Sequence, residues 1–322
     1  MSIRIDPELV PAPDDGVRRK SGRRRHPLRP AWDEEPSRAG VTVKATVLVV
    51  VVLTVVFPLY TILLTSLSTR DSTIRAGGMM VWPDELTWGA YSTILGGGIV
   101  TRAMLVSIGV TAVGTLISTA VSVLAAYGLS RTGSLLHRPI LFVFLITMFF
   151  GAGLIPTYLL VSTLGLIDSY WALILPGAVS AFNILILRNF FQGIDAGILD
   201  AARIDGAGDW RILWTIVLPM SKAATAVIAL FYGVGYWNAF FNAMLYINDN
   251  TKWPLQLVLR SYVLQGASLP GSQDMGDVAS GATTGLPVQM AVVVLAVLPI
   301  VLVYPFVQKH FTKGVIAGAI KG

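Results

Sequence analysis

Six apolar runs separated by polar segments organise the chain from residue 45 onward. Runs 45–67, 103–130, 139–167, 169–187, 223–248 and 286–308 contain no Lys, Arg, Asp, Glu or His. Crossing roughly 30 Å of hydrocarbon takes about 20 helical residues, so the pattern predicts transmembrane helices over about 45–67, 103–130, 139–160, 170–188, 223–248 and 286–308. The third and fourth runs are divided only by Asp168, which with Gly165 and Ser169 predicts a tight turn at the membrane surface. Transmembrane β-strands would alternate apolar and polar positions over about ten residues, and these runs do not. The fold class expected is all-α integral membrane protein with six helices.

Composition supports the pattern. Hydrophobic residues make up 54% of the chain and charged ones 13%, against about 25% charged in a soluble domain. With no cysteine in the sequence, disulfides and thiol chemistry are excluded. His26, His137 and His310 lie far apart and form no metal-binding pattern, and no paired acids or nucleophile–histidine set lies within the runs, so neither a metal site nor a catalytic site is expected.

The basic residues set the expected orientation. With the N-terminus inside, 19 of the 24 Lys and Arg fall on the inner side and five outside: Arg70, Arg75, Arg102, Lys252 and Arg260. Both termini are therefore expected in the cytoplasm. Residues 1–40, rich in Pro, Arg, Asp and Gly, read as a disordered basic tail that fixes topology and touches anionic lipid headgroups; no Phe, Tyr or Trp interleaves its basic clusters at 18–20 and 23–25, so nucleic acid is not an expected partner. The apolar run after it is too long for a signal peptide.

Between the fourth and fifth runs, Asp200, Arg203, Asp205, Asp209 and Arg211 crowd into one segment. Each central charge would cost roughly 2.5–3.5 kcal/mol in a membrane helix, so this segment belongs outside the bilayer. Residues 198–205 suit a short helix, Gly206 and Gly208 permit a turn, and a second helix runs through 210–217 until Pro219 stops it or starts the next span. Such a helix-turn-helix would present Ala201 and Ala202 as a smooth surface flanked by Asp200 and Arg203.

That segment resembles the EAA loop of membrane subunits of binding-protein-dependent ABC importers, whose pattern is Glu-Ala-Ala, three residues, Gly, nine residues, Ile, one residue, Leu-Pro. Ala201, Ala202, Gly206, Ile216, Leu218 and Pro219 stand at the required spacings, and Asp200 replaces Glu, one methylene shorter. The stretches 149–158, 171–176, 188–191, 236–238, 253–256 and 313–322 are similar to the carbohydrate-uptake branch, in particular the maltose-type second permease and permeases of lipoprotein/oligosaccharide type, with Ala152 in place of one family glycine. The resemblance implies a six-helix permease in the bacterial inner membrane, over about 41–308, with cytoplasmic EAA loop 192–221, external loop 249–285 and cytoplasmic tail 309–322. It implies as partners a second permease in a heterodimer, two ATPase subunits that bind ATP and Mg, an extracytoplasmic solute-binding protein and a sugar, an oligosaccharide rather than a monosaccharide. Asp200, Ala201, Ala202, Arg203, Gly206, Ile216, Leu218 and Pro219 would then couple to the ATPase, and residues 313–322 would form a second contact with it. The chain itself carries no P-loop, so no cofactor of its own is expected.

No predicted span has an acidic residue in its interior, which disfavours the alternative of a stand-alone secondary carrier. The interior amides of the spans are Asn183, Asn238, Asn242 and Gln289, with Trp237 and Phe241 as aromatic neighbours in the fifth. On one continuous helix Trp237 and Phe241 would form an aromatic stripe beside an amide stripe of Asn238 and Asn242, suited to sugar faces and hydroxyls. Tyr158 beside Pro156 is a further candidate for the path. Against this stands a structural reading, in which membrane amides bridge neighbouring helices. External loop 249–285 would reach toward a docked binding protein.

Overall fold

A computed structural model describes residues 37–319, except 79, 83, 97, 132, 134–135 and 266–284. The expected tail 1–40 and the middle of the expected external loop thus lie largely outside the described residues. Among those described, every regular element is helical. The chain divides into two units, Met1–Val55 and Val56–Gly322. The first contributes, among the described residues, the start of helix α1 (Arg38–Ser66), whose Val-rich surface is exposed. Such β-branched runs are poor helix formers in water, but hydrocarbon offers the backbone no other partner and enforces the helix.

The second unit holds the remaining helices. Short α2 (Arg70–Arg75) and α3 (Gly89–Leu95) lead into α4 (Ile99–Ser130). Its buried face carries Ala103, Ser107, Val110, Gly114, Ser118, Ser122 and Ala126 at intervals of three and four, a stripe of small residues that admits close helix packing. The third and fourth predicted spans are not continuous helices. α5 (His137–Phe149) and α6 (Leu154–Thr163) meet at 115°, and α7 (Trp171–Ile174), continued by a 3₁₀ turn to Gly177, meets α8 (Ala181–Gln192) at 52°. Gly153, at φ +83°, supplies a backbone conformation at the first break that other residues avoid. Pro176 is the second residue of the 3₁₀ turn at the second break.

α9 (Ala196–Ile204) and α10 (Asp209–Ile212) follow, then a π-helical stretch Leu213–Val217, α11 (Leu218–Met220) and α12 (Lys222–Trp237). The fifth predicted span also needs correction. Its helix ends at Trp237, Asn238 and Ala239 leave helical geometry, and α13 (Phe240–Tyr246) begins afresh, so the two stripes expected on one helix do not form. After a 3₁₀ turn (Asn250–Lys252) comes α14 (Leu255–Gln265); α15 (Leu286–Ala319) is longer than the expected span, and its apolar part is Leu286–Pro305. Among the described residues, three helices, α1, α4 and α15, are each long and apolar enough to cross a membrane, and three bent pairs raise the number to six if each pair is one span.

α12 is the hub of the second unit. It presents Ala224, Ile228 and Tyr232 to a cluster with Val123 and Ala126 of α4 and Ile184, Leu187 and Phe191 of α8. Trp237 enters a second cluster with Val288, Ala291, Val292 and Leu295 of α15. At the crossing of α4 and α12, a Cβ on Gly114 would lie 2.8 Å from the Tyr236 ring, so no larger residue fits without displacing that ring.

Candidate functional site: the helix-turn-helix at 196–220

α9 begins where Asp195 Oδ1 accepts the Gly197 N–H at 2.7 Å. It ends in a Schellman turn: the Ala207 N–H donates to the Ala202 carbonyl at 2.9 Å and the Gly206 N–H to the Arg203 carbonyl at 3.0 Å. Gly206 has φ +78°, the left-handed value this turn requires, whereas Gly208 is extended and serves as the cap of α10. The single methylene missing from Asp200 relative to Glu is matched by a local partner. Arg203 Nη1 lies 2.8 Å from Asp200 Oδ1, and both side chains are about half exposed.

The surface differs in part from the expected one. Ala201 is exposed, but Ala202 and Leu199 turn inward against the cluster of α4, α8 and α12. Ile204, Trp210 and Trp214 face outward, at 86%, 65% and 62% exposure, an apolar element the spacing of small residues does not suggest. Ile212, Leu213 and Val217 fix the second half of the motif by complete burial, with Ile216 and Leu218 half-buried and Pro219 exposed. A π-helical stretch before Pro219 relieves the clash its ring would impose on a regular ladder. The chain bends by 86° between Met220 and Lys222.

Polar ties join this motif to the helices beneath it. Arg131 Nη1 lies 2.6 Å from Asp209 Oδ1, its guanidinium sits 4.6 Å from the centre of the Tyr127 ring and also donates to the Tyr127 hydroxyl. Tyr127 in turn donates to the Asp209 carbonyl at 3.1 Å. Arg188 and Gln192 of α8 donate to the carbonyls of Leu129 and Ser130 at 2.9 and 3.2 Å, satisfying the end of α4. A cavity of about 710 Å³ opens here, bordered by Tyr127, Arg131, Gln192, Leu199 and Arg203.

Residues 118–317 match the family described as binding-protein-dependent transport system inner membrane component. The chain belongs to this family. It is an integral inner-membrane permease component with the ABC importer permease fold. It is 44% identical to the polygalacturonan/rhamnogalacturonan transport system permease protein YtcP of Bacillus subtilis, over 83% of this chain and 93% of that one. Identity to the B. subtilis protein LplC is 41%, over 78% and 85%. A chain in the crystal structure of a bacterial ABC transporter that imports the acidic polysaccharide alginate superposes with a TM-score of 0.80 at 30% identity, covering 87% of this permease and all of that chain.

The residues considered for a substrate path are scattered. Trp237 is 4% exposed and its indole N–H donates to the Ala296 carbonyl at 2.9 Å, a packing arrangement. Asn238 is exposed and donates to the Val234 carbonyl of its own helix. Phe241 is exposed and Asn242 half-buried on α13; Asn183 is buried near the start of α8; Gln289 is half-buried in α15. Tyr158 stacks with Tyr246 at 6.1 Å between ring centres. None of the seven is brought against another by a hydrogen bond or ring contact.

The polar cluster that does form involves Tyr232 and Tyr236. Tyr236 donates to the Ile174 carbonyl at 3.0 Å and lies 2.7 Å from Ser118 Oγ. The Tyr232 hydroxyl accepts the Ser180 N–H at 3.1 Å and lies 2.7 Å from Ser122 Oγ. Ile174 and Ser180 flank the break between α7 and α8, where backbone groups lose their helical partners. The signal available in the sequence was the double spacing of four, Tyr232 with Tyr236 against Ser118 with Ser122.

Proposed function

We propose that this permease is one half of a heterodimeric channel through which an ATP-driven importer moves a sugar, specifically an oligosaccharide, into the cell. The names of its relatives support the substrate class: one is a polygalacturonan/rhamnogalacturonan permease and one solved neighbour belongs to an alginate importer. In this reading six spans lie within 41–308, the tails 1–40 and 309–322 and the loop 192–221 face the cytoplasm, and loop 249–285 faces a solute-binding protein. Two separate ATPase subunits bind ATP and Mg. Their closure presses on Asp200, Ala201, Ala202, Arg203 and Gly206, with Ile216, Leu218 and Pro219 holding the second helix, and the membrane helices alternate between outward and inward access.

One observation carries the coupling role. The helix-turn-helix is rigidly closed by its Schellman turn while Ala201, Ile204 and Trp210 remain exposed on it, a preformed docking face of small and apolar residues beside a neutralised Asp200–Arg203 pair. Ala201 is exposed within α9, where leucine keeps the helical backbone, so a bulky residue there obstructs a partner more than the permease itself. The test is uptake of radiolabelled oligogalacturonide by vesicles containing both permeases, the ATPases and the binding protein. ATP-driven uptake lost in Ala201→Leu supports the reading; unaltered uptake overturns it. Uptake by this chain alone under an ion gradient would establish a secondary carrier instead.

A further inference from the structure

We infer that Arg131, clasped between Tyr127 and Asp209, is the positioning residue through which movement of the helix-turn-helix is delivered to α4. This rests on the coupling reading above and names its route into the membrane. Three contacts converge on one point: the 2.6 Å ion pair, the Tyr127 donation to the Asp209 carbonyl at 3.1 Å, and the guanidinium over the Tyr127 ring at 4.6 Å. A lone surface ion pair contributes little. Here the guanidinium is held by a carboxylate, a hydroxyl and an aromatic face at once, and only about a quarter of its side chain is exposed.

The placement favours transmission. Asp209 is the first residue of α10 and Arg131 follows the last residue of α4, so the pair joins the positive start of one helix to the negative end of another with charges of the stabilising sign on each. α9, the half that carries Asp200 and Arg203, keeps its ion pair to itself and meets the membrane helices through Leu199 and Ala202. Among the described residues, the charged tie from the motif to the membrane helices is therefore the Asp209–Arg131 pair. At its far side α4 offers Ser122 and Ser118 to Tyr232 and Tyr236, which hold the backbone at the break between α7 and α8. A displacement of Asp209 thus reaches an unwound point within the span through one continuous helix.

The experiment compares Arg131→Gln, Asp209→Asn and the double variant in vesicles holding the complete transporter, reading uptake per ATP hydrolysed. Each single variant is expected to lower that ratio about threefold to thirtyfold, the scale of a coupling residue, while the ATPases still co-purify and hydrolyse ATP. The double variant should fall no further than the worse single one, because both remove the same contact. Arg131→Lys, which keeps the charge but loses the planar fork, should restore part of the ratio. An unchanged ratio, or single effects that multiply in the double variant, overturns the inference. If Arg131→Gln fails to assemble, Asp209→Asn decides alone, since that carboxylate is 63% exposed and its amide keeps the shape. Failure of the coupling reading is distinguishable: Ala201→Leu would then leave uptake intact whatever Arg131 does.

Discussion

Tyr236 of α12 donates its hydroxyl proton to the Ile174 carbonyl at 3.0 Å and so accepts from Ser118 Oγ, 2.7 Å away on α4. A hydroxyl has one proton, and the geometry commits it to a backbone group beside the helix break. Removing the hydroxyl in Tyr236→Phe takes the side-chain donor from that carbonyl and strands Ser118 Oγ in an apolar setting, at a cost of about 1–3 kcal/mol. Removing Ser118 Oγ leaves a satisfied carbonyl and a phenol lacking only one donor, nearer the ~0.6 kcal/mol average for membrane hydrogen bonds. Chemical unfolding of the solubilised protein should therefore rank Tyr236→Phe well above Ser118→Ala. The reverse ranking would show that the break does not depend on the tyrosine.

How far this fold can be read from sequence depends on the kind of signal. Charge-free runs reveal where apolar helix must lie, because the penalty for a charge in hydrocarbon is large and local. Breaks carry no such penalty. Gly153 and Pro176 mark two of them after the fact, but glycine and proline are common in membrane helices, and at Asn238 neither residue is present. The fixed spacing of Ala201, Ala202, Gly206, Ile216, Leu218 and Pro219 makes the turn motif legible, since Gly206 alone meets its φ of +78° without strain. Its anchorage is not legible: Tyr127 and Arg131 lie about eighty residues from Asp209, and pairing at that distance is decided by packing.

Asp168 ties two turns together at the end of the second unit away from Arg131. With φ +62°, it accepts the N–H groups of Asn248 and Asp249 on Oδ1 at 2.7 and 2.9 Å, and Lys252 donates to its carbonyl at 2.9 Å. Asparagine retains an acceptor and tolerates the left-handed backbone, so Asp168→Asn should stay close to the parent in thermal unfolding. Asp168→Ala loses both advantages and should destabilise by about 1–2 kcal/mol, the lower part of the range for orphaned donors because water reaches this turn. Equal melting of the two variants would remove Asp168 from this role.

A pH response is expected in the neighbouring 3₁₀ turn. Asp249 Oδ1 accepts from the Thr251 hydroxyl at 2.8 Å and the Thr251 N–H at 2.9 Å, and these bonds, the hydroxyl foremost, hold its carboxyl below the usual aspartate value. A lowered folded-state value means that the carboxylate supports the turn above the ordinary value, about 3.9, and that this support is lost as pH falls through the lower folded value. Hydrogen-exchange protection at the Thr251 amide should therefore decline only on the acid side of the ordinary range. Thr251→Val removes the leading cause and should move the midpoint upward; an unmoved midpoint would refute the assignment.

Trp237 and α13 separate packing from passage. The Trp237 indole fills a pocket against Val292 and Ala296 and spends its only N–H on the Ala296 carbonyl, so Trp237→Phe should destabilise the protein by about 1–3 kcal/mol while leaving the sugar concentration for half-maximal uptake unchanged. Phe241 is 43% exposed on α13, where truncation to alanine removes little buried contact and should shift stability by less than about 0.5 kcal/mol. If this face meets the sugar, Phe241→Ala raises the half-maximal concentration in transport by the complete assembly. The two variants thus move opposite readouts. A shift in half-maximal concentration for Trp237→Phe at unaltered stability would place the indole in the path and remove it from the core.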